Sequence, residues 1–507
     1  MGELASDNFL RAVNVYKGIP FATPPIGDLR WTAPTSPSNW TGVLNATSFG
    51  ADCAQSYSAL GLFSSGSEDI SEDCLYMNIW APANATSTSN LLVYVWIYGG
   101  RFEGGAGSVP TYDGSHLASK DIVVVNFNYR MGPFGFLAHP ELDEESGHNA
   151  SGNYGLLDQI QALAFVREEI AAFGGNGSHI TVGGQSAGSA SALDMMYSPL
   201  SSDKIVATIA ESGARGPHDP ETYGLATAHR SKAAVLAAGV SFLAEMNVTS
   251  IAELRNVSMA DLLIYGNAAD NVLTGTVFEN STEVTNPPAW RPVIDGYVLP
   301  YLYGESLSLN AHGDIPIFTG DNRGETSATT FTSLAAYQSV YEEILLGNLS
   351  ASFFASYPAT DAATAGNQSF AFWDDINRVS TWDWAQAWSG GGATQDVFLY
   401  YWTHAPPNQT AGAYHGSELW YVFGNLPTYY NYTWTAQDEF LQQQMGEYWV
   451  NFINTGDPNG RNLTSFPAAS EVRQVMWLGD STGASYLTNG TGRFDVIQEF
   501  FSQQIEF

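Results

Sequence analysis

The pentapeptide Gly184-Gln185-Ser186-Ala187-Gly188 constrains this chain more than any other stretch. A β-like run, Ile180-Thr181-Val182, leads into it, and a helix-like run from Ser189 to Met196 follows. A strand that turns directly into a helix through a serine is a nucleophile elbow. The turn is so tight that its flanks must be small, and glycine stands at 184 and 188. The serine oxygen is then lifted clear of the sheet. A second G-x-S-x-G stretch, Gly479-Asp480-Ser481-Thr482-Gly483, lacks that setting. Ala484 to Thr488 after it is β-like and runs into a sequon. Ser481 is therefore read as a surface-turn residue and Ser186 as the nucleophile.

The rest of the chain alternates strand-like with helix-like segments. A short strand and a proline-rich wrap occupy about 12–34, and Ser71 to Trp80 alternates like a strand. Leu91 to Tyr98 and Ile122 to Phe127 are nearly continuous apolar runs, as in strands buried on both faces. Tyr154 to Phe173 has helical spacing, with Leu156, Ile160 and Leu163 on one stripe. Lys204 to Ile209, Ile315 to Thr319 and Val397 to Trp402 read as further strands, and Phe440 to Asn454 as a late amphipathic helix. This alternation predicts an α/β architecture with a large, doubly wound, mostly parallel sheet flanked by helices. A length of 507 residues equals about three average domains. No long linker, internal repeat or low-complexity tail divides the chain, so one domain over 1–507 is the reading. Polar, helical insertions at about 220–290 and 330–390 would cap the sheet around the active-site gorge.

Composition narrows the partners. The net charge is −33, which repels nucleic-acid phosphates and anionic membranes. No run of apolar residues is long enough for a transmembrane helix. Two cysteines, Cys53 and Cys74, make neither a zinc ribbon nor a C-x-x-C redox pair. One disulfide is the natural reading. The chain carries fourteen N-x-S/T sequons, among them Asn39, Asn84, Asn176, Asn280, Asn408 and Asn489. Together they predict secretion and N-linked glycans. Met1 to Asp7 has neither a basic n-region nor an apolar h-region, so no signal peptide is read there, and a trimmed amino terminus is expected.

A serine hydroxyl is a poor nucleophile near neutral pH. It needs a general base, and the base needs an orienting group. Of nine histidines, His415 stands out in Tyr414-His415-Gly416-Ser417-Glu418, beyond a buried strand. His404 sits at a strand end before two prolines and reads as structural.

With these residues in place, the chain resembles the type-B carboxylesterase family, the cholinesterase-like branch of the α/β-hydrolases. The resemblance runs from about residue 13 to 459. Its motifs include Gly18-Ile19-Pro20-Phe21-Ala22, Ser71 to Leu75, Val95-Trp96-Ile97-Tyr98-Gly99-Gly100, Asn128-Tyr129-Arg130, Gly152 to Gln159, the elbow, His415-Gly416-x-Glu418 and Thr455-Gly456-Asp457-Pro458-Asn459. It implies the α/β-hydrolase fold, a secreted member of fungal type, and ester hydrolysis without a metal or redox cofactor. It also implies a triad of Ser186, Glu325 and His415, in the chain order this fold uses. The oxyanion hole would come from the N–H groups of Gly100, Arg101 and Ala187. Arg101 stands where many relatives have glycine, so its side chain must point away or line the gorge. Gln185 stands where relatives commonly have glutamate, which removes a charge beside the histidine. Ser212 resembles a supporting hydroxyl near the triad acid. Arg30 with Glu72, and Arg130 with Asp158, resemble the family's ion pairs.

The substrate would be a small-molecule ester. The loop from Ala54 to Asp73 contains no tryptophan to hold quaternary ammonium, so choline esters are disfavoured. Leu60, Leu62 and Phe63 are apolar, but the rest of the loop is polar and makes a poor interfacial lid. Soluble or moderately hydrophobic esters are favoured, aromatic ones among them. Neutral lipids are the alternative, and a non-catalytic adhesion protein is disfavoured by the intact triad.

Overall fold

The computed structural model describes residues 3–4, 11–56, 61–224, 229–281, 284–325, 329–426, 432–469 and 472–506. The apolar runs build one 11-stranded sheet. In chain order its strands are β1 (Glu3–Leu4), β2 (Val13–Pro20), β3 (Tyr76–Pro82), β4 (Leu91–Ile97), β5 (Ile122–Phe127), β6 (Gly175–Gln185), β7 (Ala207–Glu211), β8 (Ile317–Asn322), β9 (Val397–Trp402), β10 (Gln474–Leu478) and β11 (Gly483–Tyr486). In space they run β1-β2-β3-β5-β4-β6-β7-β8-β9-β10-β11. From β5 to β10 all neighbours are parallel. β1 to β3 at one edge and β11 at the other are antiparallel.

Parallel strands need cover on both faces, and the burial agrees. Every residue of β5 is buried, as is Val93 to Ile97 of β4. Helices Tyr154–Glu169 and Ala187–Tyr197 pack against β6, and Ala436–Thr455 packs against β4. That last helix starts at a capping box of Thr435 and Asp438 and stops at Gly456, which takes the left-handed conformation at φ 74°. A glycine adopts that conformation at little cost and so ends the helix.

The spans of β5 and β9 coincide with the expected runs, and others shift. The strand expected from Lys204 starts later, at Ala207. The helix expected through Phe173 ends at Glu169 and tightens into a 3₁₀ turn, Ile170–Phe173, closed by Gly174 at φ 89°. The insertion after residue 220 is helical only in part: Lys232–Glu245, Ile251–Leu254 and Met259–Leu263. Its described residues beyond Leu263 lie mostly in turns, and Pro287-Pro288 near its end lack two backbone donors. The 330–390 segment holds three helices, Leu334–Ile344, Leu349–Ser356 and Ala362–Gly390. β11 overlaps the β-like stretch read from Ala484, whereas its hairpin partner β10 and the helix Thr491–Ser502 were not among the expected elements. Ser481 is exposed in the turn between β10 and β11.

Two ion pairs brace the core. Arg130 Nε and Nη2 each donate over 2.8 Å to the two oxygens of Asp158, and both residues are fully buried. Arg30 Nε donates to Glu72 over 2.6 Å, beside the disulfide Cys53–Cys74. Arg30 Nη1 also donates to the carbonyl of Val257 over 2.8 Å, fastening the first insertion to the amino-terminal wrap. Asp158→Ala strands a buried guanidinium without its partner. Urea unfolding of this variant should show a loss of about 3–5 kcal/mol of stability.

Candidate active site

Five neighbouring parallel strands, β4, β6, β7, β8 and β9, end on the same side of the sheet. Each is followed by a residue singled out from the sequence. β6 ends at Gln185, and Ser186 turns the chain at φ 60°, ψ −124° into the helix Ala187–Tyr197. A Cβ on Gly184 would lie 2.1 Å from the Gly188 carbonyl oxygen, and one on Gly188 would lie 2.0 Å from that of Ile97. Only glycine fits at either place. The Ser186 N–H donates to the Glu211 carbonyl over 2.9 Å, so the strained turn is pinned to β7.

Glu325 lies three residues beyond β8, and His415 lies in the loop beyond β9. Backbone contacts join these two segments. The Gly324 N–H donates to the Ala413 carbonyl over 2.9 Å, and Asn322 Nδ2 donates to that of Tyr414 over 2.9 Å. His415 Nδ1 is hydrogen-bonded to Glu325 Oε2. Glu325 Oε1 accepts from the Ser212 hydroxyl over 2.6 Å and from the Asn322 N–H over 2.7 Å. His415 Nε2 lies 3.0 Å from the side-chain amide nitrogen of Gln185. With the Nδ1 proton facing a carboxylate, Nε2 carries the lone pair, and the amide of Gln185 donates to it. Among the described residues no hydrogen bond joins the Ser186 hydroxyl to His415.

The electrostatics separate one carboxylate from its neighbours. Burial pushes the Glu325 carboxyl upward. The charge and hydrogen bond of His415, with the Ser212 and Asn322 bonds, outweigh it and hold Glu325 below its usual value. Burial pushes His415 down, but the charge and hydrogen bond of Glu325, with the charge of Glu418, hold it above its usual value. Burial raises Glu211 to about 8, against a hydrogen bond from Trp449 Nε1 at 2.9 Å. Burial raises Glu418 well above the carboxylate range, and the charge of Glu211 adds to it. The surroundings thus favour the ionised form of Glu325 beside the imidazole, whereas burial disfavours the ionised form of Glu211 and Glu418. Different surroundings give similar carboxyls different protonation states.

β4 leads into the glycine loop. A Cβ on Gly99 would stand 2.4 Å from the Gln185 carbonyl oxygen and 3.0 Å from Ser186 Cβ, so this loop lies against the elbow. Gly100 has φ 114° and Arg101 φ 60°. The N–H groups of Gly100, Arg101 and Ala187 have no protein acceptor among the described residues. Of the two directions open to the Arg101 side chain, it takes the one toward the first insertion. Nη2 donates to the Asn286 carbonyl over 3.1 Å, and Nε lies 3.3 Å from Glu103 Oε2.

His404 is held by Asp480 at 2.8 Å through Nδ1 and by Asp438 at 3.0 Å through Nε2, which leaves no free nitrogen. Sequence reasoning assigned no role to Asn322, Glu211 or Glu418. The signal for Glu211 was a glutamate closing an apolar run directly before Ser212-Gly213. Asn322 and Glu418 contact each other across the two loops, and nothing local marks that pairing.

The model of a family described as the carboxylesterase family matches residues 2–491. Fumonisin B1 esterase of Sphingopyxis macrogoltabida is 33% identical over 484 residues, covering 93% of this chain and 84% of the relative. Para-nitrobenzyl esterase of Bacillus subtilis (strain 168) is 32% identical over 481 residues, covering 92% and 91%. Cocaine esterase of Homo sapiens is 30% identical over 502 residues, covering 92% and 83%. None of these three relatives is fungal. Among solved structures, a thermophilic PNB esterase superposes with a TM-score of 0.77 at 30% identity, covering 98% of this chain and 97% of that one.

The Gln185 contact has a measurable consequence. A donor aimed at the Nε2 lone pair favours the neutral imidazole, whereas a carboxylate there favours imidazolium. Gln185→Glu should therefore raise the pKa of His415 further. If neutral His415 is the active form, the acid limb of the pH–kcat/KM profile moves to higher pH in the variant. The protein with Gln185 keeps its activity to lower pH, and a shift in the other direction would contradict the assignment.

Proposed function

This chain belongs to the carboxylesterase family and is a carboxylic ester hydrolase, and from that premise we propose its mechanism and substrate class. The Ser186 hydroxyl attacks the ester carbonyl carbon while His415 Nε2 takes its proton. For that step the Gln185 amide gives up Nε2 to the serine. Such bonds are often loose without substrate and tighten in the complex. The N–H groups of Gly100, Arg101 and Ala187 receive the charge that develops on the carbonyl oxygen. The ester C–O bond breaks, and His415 returns its proton to the leaving alcohol. Water then attacks the acyl-enzyme with the same base and restores Ser186. Glu325 keeps the Nδ1 proton in place and stabilises the imidazolium between the two transfers.

The contact that carries this reading is His415 with Glu325, the carboxylate being held on its other oxygen by Ser212 and Asn322. Ser186→Ala should lower kcat on a p-nitrophenyl ester by about 10⁴-fold or more, with an unchanged unfolding midpoint. Retained activity would place the nucleophile elsewhere.

The preferred substrates are soluble or moderately hydrophobic esters, those with an aromatic part included. The cysteine loop supports this. Leu62 is buried, Phe63 packs close to Gly416 beside His415, and Ser64 to Glu68 supply the polar remainder. Leu60 lies outside the described residues. Among the described residues of this loop, Leu62 and Phe63 thus turn inward rather than toward a lipid surface. One relative is named for a para-nitrobenzyl ester, which is aromatic. Along a p-nitrophenyl ester series, kcat/KM should fall from butyrate to palmitate, with no step in rate where the long-chain ester forms an emulsion. Such a step would favour neutral lipids instead.

Secretion with N-linked glycans completes the proposal. Among the described residues no helix is long and apolar enough to cross a membrane. Asn39, Asn84, Asn280, Asn408 and Asn489 are exposed, and the cysteines are paired. Protein secreted by a eukaryotic host should gain mobility on a denaturing gel after treatment with an N-glycosidase.

A further inference from the structure

Arg101 is a costly residue for its place. Its backbone sits at φ 60°, and Phe102 follows at φ 59°. A left-handed backbone suits glycine and strains a residue that carries a side chain. Two such residues in succession after Gly100, at φ 114°, make a turn that persists only where its surroundings fix it. Phe102 is fully buried, and its carbonyl accepts from the Gly132 N–H over 2.7 Å. That fixes one side of the turn, and the Arg101 side chain fixes the other.

The guanidinium reaches both ends of the first insertion. Nη2 donates to the Asn286 carbonyl over 3.1 Å near its end, and Nη1 to the Gly224 carbonyl over 3.5 Å near its start. Nε lies 3.3 Å from Glu103 Oε2. These anchors are themselves held. Asn286 Oδ1 accepts from the Leu273 N–H over 3.1 Å, and the N–H of the buried Glu103 donates to the Gly100 carbonyl over 3.0 Å. Glycine at 101 would relieve the turn but leave both ends of the insertion untied to it. We propose that the Arg101 side chain is a positioning clamp: by tying the glycine loop to both ends of the first insertion, it holds the Arg101 N–H at the developing oxyanion. The clamp rests on the oxyanion-hole reading given under the proposed function.

Arg101→Gly tests this, because it keeps the N–H, removes the guanidinium and relieves the backbone. With p-nitrophenyl butyrate, kcat should fall about 10- to 100-fold, the cost of a misplaced oxyanion donor, and KM should change less than about twofold. Arg101→Lys, which can reach one carbonyl, should lose about three- to tenfold in kcat. A trifluoromethyl ketone forms an adduct with Ser186 that carries the oxyanion. Its inhibition constant should rise in proportion to the fall in kcat/KM, which a contact that serves stability alone would not cause. The neutral butyrate and the anionic p-nitrophenyl monosuccinate should lose alike. The clamp is overturned if Arg101→Gly matches the parent in kcat or if the loss falls on KM alone. It is overturned equally if the monosuccinate loses much more than the butyrate, which would make the guanidinium a reader of substrate charge. Should Arg101→Gly not fold, Glu103→Ala decides the matter. It removes one anchor and should lower kcat about two- to fivefold with the ketone weakened in proportion, and unchanged values overturn the clamp. Ser186→Ala separates the two readings. If that variant binds the ketone as tightly as the parent, the active-site reading fails and the clamp with it. If it loses the ketone while Arg101→Gly keeps it, the clamp alone fails.

Discussion

A serine held at φ 60°, ψ −124° is the constraint on which the site depends. A backbone this far from the common regions costs about 1–3 kcal/mol and persists only where its surroundings leave no alternative. Here β4 and β7 supply those surroundings. The Ile97 carbonyl crowds Gly188, and the Glu211 carbonyl takes the Ser186 N–H. The turn places the hydroxyl at the carboxyl end of the parallel strands, where open α/β sheets form their crevices. The glycine loop after β4, Ser212 after β7, Glu325 after β8 and His415 beyond β9 arrive there because the sheet order makes those strands neighbours. Residues hundreds of positions apart converge without any of them needing a local signal for the others.

Charge is concentrated where the chemistry uses it. Glu325 and Glu418 act on the histidine and Glu211 acts on Glu418, all three buried or nearly so. A second fully ionised carboxylate beside Glu325 would hold the imidazole proton more tightly and make it a poorer leaving proton near neutral pH. Burial disfavours the charged form of Glu211 and Glu418, whereas the charge and hydrogen bond of His415, with the Ser212 and Asn322 bonds, favour it on Glu325. Gln185 adds a neutral donor at Nε2 where a fourth acid could have stood. The same reasoning explains Arg101. Its guanidinium is turned to Asn286 and Glu103, so the glycine loop gains a tie to the insertion while its N–H groups keep no protein acceptor among the described residues.

The sheet was legible where strands are buried on both faces. Ile122–Phe127 and Val397–Trp402 are unbroken apolar runs, and periodicity marks both ends. It was less legible where tertiary packing overrides pattern, as in Lys204 to Val206, apolar enough in part but spent on a turn. The β10–β11 hairpin is short and lies at an edge, so its alternation carries little weight. The elbow announced itself through Gly184 and Gly188. The partners of Ser186 came through motif resemblance rather than spacing, since nothing local ties residue 325 to 415. That Gln185 rather than Ser186 meets His415 Nε2 depends on side-chain geometry within one turn, which no sequence pattern encodes. The bond from Asn322 to Glu325 is local, but its contact with Glu418 arises where the end of β8 meets the His415 loop in space.

Ser186 is proposed as the one activated hydroxyl, and Ser481, exposed in the β10–β11 turn, as an ordinary serine despite its matching pentapeptide. Treating the folded protein with a fluorophosphonate and mapping the adduct by peptide mass spectrometry tests this most directly. A single adduct on Ser186, formed with loss of esterase activity in proportion to labelling, is the predicted result. An adduct on Ser481, or full labelling elsewhere with Ser186 unmodified, would contradict it.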